Sequence, residues 1–493
     1  VQTTTLDALC AAALTCDPNN QAINFEQRWF SWGEMREVAE RLTQLIDAAG
    51  SGTVKVAFMA RNRPSALAAF LGLLSRRCAI RMLYPFQSPE LIARELENIS
   101  PDFFVAAEED YSETLLVALK QKRISAAALS EMDARSILSF ERRENKGDIP
   151  CALTILTSGT TGTPKEFSLS YEMIVKHIVG QVSRNVEGHS SLPPVILMFP
   201  VSNISGLYST LPALLKGQRV VLLDRFTVAG WRDYVVRYRP QMTGLPPAGI
   251  QMLLDAAVSK DDLKSLQAIG TGAAPLPPAI HRAFEERYGI PILLSYGATE
   301  FGGPVAAMTL DLQKIWGNKK FGSVGKAMVG VSLRVVDATD GSALAAGSEG
   351  ILEVISPRIG PQWIRTSDVA VIDEDGFLFM IGRADGAIMR GGFKLLPATI
   401  EHALLLHPAV STVAVVGLKD RRLGEIPVAA VELKQDAKEI SVRELEEHLR
   451  RHIAATHIPA RWCLVKSLPR TTSMKIDQMA VRKLFDDEVA TTI

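Results

Sequence analysis

The stretch Leu156 to Glu166, LTSGTTGTPKE, gathers small hydroxyl residues, two glycines and a lysine directly after an apolar run. Glycine lets the backbone come close to a ligand, and exposed N–H groups in such a turn suit phosphate oxygens. Thr157, Ser158, Thr160 and Thr161 add hydroxyl donors, and Lys165 adds a positive charge. The spacing is not that of a Walker A loop, GxxxxGK[ST]: Pro164 precedes Lys165 and Glu166 follows it. The plain alternative is a flexible polar turn.

A second candidate is LLSYGATEFGG, Leu293 to Gly303, where an apolar run ends in a polar turn holding Tyr296, Thr299 and Glu300. A carboxylate beside a phosphate site suits Mg²⁺, held directly or through water. Alone, Glu300 reads more readily as an exposed glutamate in a surface turn. The turn AIGTGAAP, around Gly272, Ala273 and Ala274, has only a GxG, with Pro275 where the pattern GxGxxG would continue, so no dinucleotide fold follows from it. In the segment Ile364 to Glu401, Asp368 could accept from ribose hydroxyls and Arg383 could donate to ribose or phosphate; each could equally be a structural ion-pair partner. In LPRTTSMKID, Lys475 sits in a polar turn, where a lone lysine reads as a solvated charge.

Alternating elements must carry these turns. Phe30 to Gly50 has helical apolar spacing and stops at glycine. Val54 to Ala60 reads as a strand, SALAAFLGLLS as a buried helix, SPELIARELENIS as an amphipathic helix and PDFFVAA as another strand. This rhythm predicts parallel sheets with helices on their faces. The polar run Glu141 to Asp148 predicts a surface loop. VSLRVVD, GILEVIS and FLFMIG predict a strand-rich region, and the texture changes after Ala384, which places a boundary at Arg383–Gly386. The 493 residues suffice for several domains, and 47% hydrophobic with 22% charged residues excludes disorder as the main state. Lys plus Arg and Asp plus Glu are 54 each. That balance gives no global pull toward nucleic acid or anionic membrane and leaves self-association, for instance as a homodimer, open. The apolar run Pro64 to Ser75 is too short to span a bilayer. The chain begins at Val1 without a signal pattern, which leaves a removed leader open. Five scattered cysteines, Cys10, Cys16, Cys78, Cys151 and Cys463, lack CxxC spacing, so a reducing, cytoplasmic setting is the expectation.

Together the five segments resemble the adenylate-forming superfamily of acyl- and aryl-CoA ligases, adenylation domains and luciferases, closest to the CoA ligases. The pattern TSGTTGxPKG is matched from Thr157 to Lys165, with Glu166 for the last glycine; YGxTE is matched from Tyr296 to Glu300. RTGD appears as Arg365 to Asp368 with Ser367 for glycine, GRxDD as Gly382 to Gly386 with Gly386 for the second aspartate, and PRTxSGK as Pro469 to Lys475 with Met474 for glycine. The resemblance implies an α/β fold: a large N-terminal domain of stacked α/β sheets plus a small β-barrel, residues 1–384, and a mobile smaller α+β C-terminal domain, residues 385–493, hinged at Asp385. It implies ATP-dependent activation of a carboxylic acid to an acyl-adenylate, then thioester formation with coenzyme A, with Mg²⁺ as cofactor.

By the same resemblance Thr157, Ser158, Gly159, Thr160, Thr161, Gly162 and Lys165 cradle phosphates, Thr160 within the catalytic set. Glu300 holds Mg²⁺, Thr299 contacts the α-phosphate, and Gly272, Ala273, Ala274, Ser295, Tyr296 and Gly297 border the adenine. Asp368 and Arg383 bind the ribose, and Lys475 reaches the oxygens between substrate and α-phosphate. Asn203, Ile204, Gly297 and Gly303 fall in the acyl pocket, and Gly391 and Gly392 reach the pantetheine tunnel after the C-terminal domain rotates.

The chain departs from the family where PxxHxxG becomes Pro200 to Gly206, with Asn203 for histidine. Asn203 could bond a polar substrate group or serve only structure. MFPVSNISG has no aspartate for an α-amine, which argues against an amino-acid substrate. Arg422 and Arg461 are candidates for the CoA nucleotide. A free-standing enzyme loading a carrier protein in trans is the nearest rival, and a non-catalytic nucleotide-binding paralogue the next; the presence of both Glu300 and Lys475 argues against the latter. His448 and His452 stand i, i+4, but Arg450 and Arg451 beside them favour a solvated helix face over zinc.

Overall fold

The computed structural model describes residues 5–50, 52–85, 87–141, 152–157, 165–180, 193–384, 386–434, 440–469 and 476–485, with backbone alone at 156, 157 and 165. Among the described residues the alternation read from the sequence builds a seven-stranded sheet. Its order is Ala134–Leu138, Ser125–Leu129, Phe103–Ala107, Lys55–Met59, Ala79–Leu83, Leu153–Thr157, Lys165–Leu169. The inner strands are parallel and both edge strands antiparallel. Buried parallel strands read as unbroken apolar runs because both faces are covered; Phe103–Ala107 is buried throughout.

The helix Pro64–Ser75 follows Lys55–Met59 and is buried from Pro64 to Leu74. Helix Trp32–Ala48 crosses it closely: a Cβ on Gly72 would lie 3.0 Å from the Ala39 Cβ. Ser31 and Glu34 form a capping box at the start of Trp32–Ala48, so the predicted helix begins two residues later, and Phe30 belongs to the strand Arg28–Ser31.

A second sheet runs Val195–Leu197, Val220–Leu222, Gln21–Phe25, Arg28–Ser31. A third, which carries much of the candidate site, runs Met242–Gly244, Ala268–Thr271, Ile292–Ala298, Gly303–Ala307, Lys326–Ala327. Its first three strands are parallel and the rest antiparallel. In the strand-rich region, where a small barrel was expected, an antiparallel sheet of four strands runs Ser332–Val336, Glu349–Ile355, Ile364–Ile372, Leu378–Arg383.

After residue 386 the long hairpin Val410–Asp420 and Gly424–Leu433 anchors a last sheet, joined by Ile388–Arg390, Phe393–Leu395 and Arg461–Val465. Helices Pro397–Leu405 and Val442–Arg450 pack one face through Ile400, Leu404, Leu445 and Leu449. The other face is covered by Val481 and Phe485. The two apolar clusters of this unit draw on no residue before Ile388. No helix of the described residues is long and apolar enough to cross a membrane. Cys10, buried, and Cys463 are free thiols.

Candidate nucleotide and acyl site

The strand Ile292–Ala298 lies between a parallel neighbour, Ala268–Thr271, and an antiparallel one, Gly303–Ala307. Its polar end therefore faces the turn that leaves the first. The Ser295 hydroxyl donates to the Thr271 carbonyl at 3.3 Å. Gly272 rests directly on it: a Cβ there would lie 2.4 Å from Ser295 Oγ. Ala273 sits at φ +65°, so the turn Gly272–Ala274 bends sharply across the strand end.

Next to this shelf, strands Ile364–Ile372 and Leu378–Arg383 bring Asp368 opposite Arg383. The Arg383 guanidinium donates to Asp368 Oδ1, and the Tyr296 hydroxyl donates to Asp368 Oδ2 at 2.5 Å. Thr366 Oγ1 accepts the Asp368 N–H at 2.9 Å and donates to the Leu352 carbonyl, which fixes the aspartate's backbone. Both ion-pair side chains are 15% exposed. Burial, reinforced by the Asp368 charge, pushes the Tyr296 phenol well above its usual range, so it stays a donor. An ionised carboxylate has about four acceptor positions. The Tyr296 and Arg383 bonds leave capacity for sugar hydroxyls, so the ion-pair and ribose readings of Asp368 are compatible.

Past Ala298 the chain makes the short turn Thr299–Phe301. Glu300 is exposed, and none of the described residues pairs with its carboxylate. No group of three metal-ligating side chains forms among the described residues. One open carboxylate is a donor set that fits Mg²⁺, which keeps waters and shares substrate phosphates rather than entering an all-protein cage. Thr157 pairs with Lys165 across the antiparallel edge of the seven-stranded sheet, so both ends of the Gly/Thr-rich stretch are fixed in the ladder. Ser158, Gly159, Thr160, Thr161 and Gly162 lie outside the described residues, as do Lys475 and the expected hinge Asp385. Glu166, where the family pattern has glycine, pairs with Arg81 at 2.9 Å.

On the acyl side, Asn203 is the N-cap of helix Ile204–Leu215: its side-chain oxygen accepts the Gly206 N–H at 2.7 Å. This assigns it a structural role. Gly206 is required by space, since a Cβ would lie 1.9 Å from the Pro200 carbonyl oxygen. One turn into the helix Tyr208, which sequence reasoning missed, reaches the YGATEFGG turn. It donates to the Gly302 carbonyl at 2.6 Å, and its ring fills the space a Gly303 side chain would need. Gly297 is equally crowded, with Pro304 Cα 2.4 Å from a hypothetical Cβ. Arg358, also missed, donates to Tyr208 Oη at 3.0 Å and to the Pro304 carbonyl at 2.5 Å. The only sequence signal for either was a polar side chain five residues past Asn203 and a cation in a turn after an apolar strand.

The second unit meets the first at the Gly272–Ala274 turn. A Cβ on Gly392 would lie 3.6 Å from the Ala273 carbonyl oxygen, Phe393 packs edge-on against Tyr84 at 5.9 Å, and Arg421 pairs with Asp255 at 3.3 Å. A narrow cleft there is lined by Pro246, Ala274 and Pro275 from one side and Gly391, Arg421 and Arg422 from the other. Arg461 lies instead over the Phe485 ring, 5.7 Å from its centroid, and does not line this cleft. His448 and His452 are not solvated as expected but half-buried, bonded to the Ala403 and His448 carbonyls. A helix packed on Pro397–Leu405 turns that face inward.

The Gly272–Ala274 shelf, the Asp368–Arg383 pair and the open Glu300 carboxylate together have the chemistry that a protein handling a nucleotide and its metal would need. The chain belongs to the family of AMP-binding enzymes, which matches residues 10–362, and the family's C-terminal domain matches residues 399–475. It is 30% identical to an indoleacetate–CoA ligase of Aromatoleum aromaticum, over 95% of this chain and 96% of the relative. It is 26% identical to a 4-coumarate–CoA ligase of Oryza sativa subsp. japonica, over 91% and 86%. The structure superposes on an amide bond synthetase from Marinactinospora thermotolerans with a TM-score of 0.81 at 25% identity, covering 98% of this chain and 99% of that one.

Proposed function

We propose that the protein is an AMP-forming acid–thiol ligase, which joins a carboxylic acid to ATP with release of pyrophosphate and then passes the acyl group to coenzyme A with release of AMP. The observation that carries the reading is the Tyr296–Asp368–Arg383 cluster beside the Gly272–Ser295 shelf, in a chain aligned with CoA ligases over nearly its whole length.

A carboxylate resists attack because a nucleophile must add charge to an anion, and a mixed anhydride with AMP removes that obstacle. In this reading Asp368 accepts from the ribose hydroxyls while Tyr296 and Arg383 hold its carboxylate still. Gly272 to Ala274 and Ser295 face the adenine, and Lys165 with Thr157 to Gly162 binds phosphate oxygens. Glu300 holds Mg²⁺, which when bound neutralises phosphate charge. Lys475 donates to the oxygens where negative charge gathers during adenylation; loss of such a donor costs about 10²–10³-fold in rate. The units are residues 1–384 and 385–493, hinged at Asp385. The contact of Gly392 with Ala273 supports the thioester-forming arrangement, in which the Gly391–Gly392 face borders the tunnel for the thiol.

The test is acid-dependent pyrophosphate release with Mg·ATP across aliphatic, aryl and polycyclic acids, with and without CoA, beside Lys475→Ala. We expect release that requires an acid, rises with CoA and falls by about 10²-fold or more in the variant. Release indifferent to CoA would point to a carrier protein or an amine as acceptor. No release with any acid, with ATP still bound, would overturn the reading.

A further inference from the structure

We propose that the acid this enzyme activates carries a second carboxylate at its distal end, and that Arg358 receives it. The inference rests on the ligase reading and deepens it.

Arg358 lies in the turn that follows strand Glu349–Ile355. That turn is hooked to the Thr299–Phe301 turn by Ser356, whose buried hydroxyl donates to the Phe301 carbonyl at 2.7 Å. The arginine side chain is thereby laid along Gly302: a Cβ there would lie 3.0 Å from the Arg358 Cβ and 3.4 Å from its Cδ. Its guanidinium donates to Tyr208 Oη at 3.0 Å, to the Gly302 carbonyl at 3.4 Å and to the Pro304 carbonyl at 2.5 Å. All three acceptors are uncharged. Among the described residues no carboxylate pairs with this half-buried cation. Elsewhere in the first unit, Arg61, Arg81 and Arg383 each meet a carboxylate.

Position gives the unpaired charge its meaning. Gly302 and Gly303 follow Glu300 by two and three residues, and Tyr208 rises from the helix that Asn203 caps. Arg358 therefore stands against Gly302 and Pro304, on the side of the turn where the ligase reading puts the acyl chain. The surroundings add positive potential. His177 is held below its ordinary range by burial, then by Lys176 and Arg358, and no described residue bonds its ring. An incoming anion would satisfy Arg358 and raise the His177 affinity for a proton. A guanidinium binds carboxylate oxygens through paired donors, with both shape and charge matched. A wholly apolar acyl chain would leave the charge desolvated and unmatched.

The experiment is acid-dependent ATP–pyrophosphate exchange by the full chain. It uses α,ω-diacids of graded length and aryl diacids, each beside its monomethyl ester, with simple monoacids as reference. The ester keeps the shape and deletes the distal charge. We expect kcat/KM for the best diacid to exceed that of its ester by about 10–100-fold, the worth of a charged hydrogen bond. Arg358→Gln should erase that ratio by raising KM for the diacid while kcat stays within a few-fold, and Arg358→Lys should restore part of it. In the absence of ATP, the diacid should also raise the His177 titration midpoint seen by NMR, and its ester should not. Equal wild-type use of diacid and ester overturns the proposal without needing any variant to fold. An Arg358→Gln enzyme that loses kcat on both alike overturns it too, because the residue then only braces the Gly302 turn. Exchange with monoacids but not diacids defeats this inference and leaves the ligase reading standing; exchange with no acid defeats both.

Discussion

Tyr296 and Asp368 lie 72 positions apart, yet one hydrogen bond of 2.5 Å joins them. Because burial and the aspartate's charge both keep the phenol protonated, the pair behaves as a fixed donor and a fixed acceptor. Removing the hydroxyl leaves Asp368 held by Arg383 alone and free to swing toward it. Tyr296→Phe should weaken ATP binding by about 10-fold, and Asp368→Asn, which also strips the charge facing Arg383, by about 10–100-fold. Calorimetric titration of each folded variant with the nucleotide checks both. An unchanged affinity in Asp368→Asn would remove the ribose from the account of this site. Residue types and order were enough to nominate Tyr296, Asp368 and Arg383, because polar groups ending apolar strands are conspicuous. Arg358 and Tyr208 were not nominated: a lone arginine after EVISP and a tyrosine on an apolar helix look ordinary until the chain folds them onto Gly302.

At the scale of elements, uninterrupted apolar runs and clear helix stops were easily read, which is why Lys55–Met59, Pro64–Ser75 and Phe103–Ala107 fall where periodicity puts them. The hairpin Gln21–Phe25 to Arg28–Ser31 was not legible. Its two turn residues, Glu26 and Gln27, both take positive φ, at 49° and 69°, without the glycine or asparagine that normally announces such a turn. Among the C-terminal elements, the short turn Ala455–His457 is clamped by Arg390, which donates to the Thr456 and Ile458 carbonyls. Burial, then the Arg390 charge, pushes His457 down to about 4 from its usual 6.5. The folded protein thus holds this ring neutral while the unfolded chain would protonate it. Its contribution is complete above about pH 6.5 and is lost as the pH falls toward 4, by about 3 kcal/mol. His407 and His448, also pushed down by burial, act in the same direction. Urea unfolding followed between pH 7 and 4.5 should show the second unit losing stability on acidification. His457→Gln should flatten that slope; a slope equal to wild type would place the acid sensitivity elsewhere.

The whole molecule is two sets of apolar cores joined by sparse contacts. Among the described residues, the buried clusters of the first unit reach Leu378 and those of the second begin at Ile388. How the two units meet was beyond the sequence, because it depends on surfaces brought together from distant segments: Tyr84 with Phe393, Asp255 with Arg421, Ala273 with Gly392. These contacts are weak enough to break in every turnover. An edge-on aromatic pair contributes about 0.5–1.5 kcal/mol and an exposed ion pair about 0.2–1 kcal/mol. Such a latch can bias the arrangement that brings Gly391 and Gly392 to the Gly272–Ala274 turn without locking it. Adenylation, which in the proposed cycle uses Lys475 from the rotated position, does not use the latch. Tyr84→Ala combined with Arg421→Ala should therefore slow thioester formation from a supplied acyl-adenylate by about 3–30-fold, the two contacts taken together. Acid-dependent pyrophosphate exchange should change by less than about twofold, since surface substitutions outside a working contact cost little. Single-turnover assays of the two half-reactions separate the effects. Equal losses in both would mean that the pair supports the fold of each unit rather than their docking, and faster adenylation in the variant would mean that the latch competes with the first half-reaction.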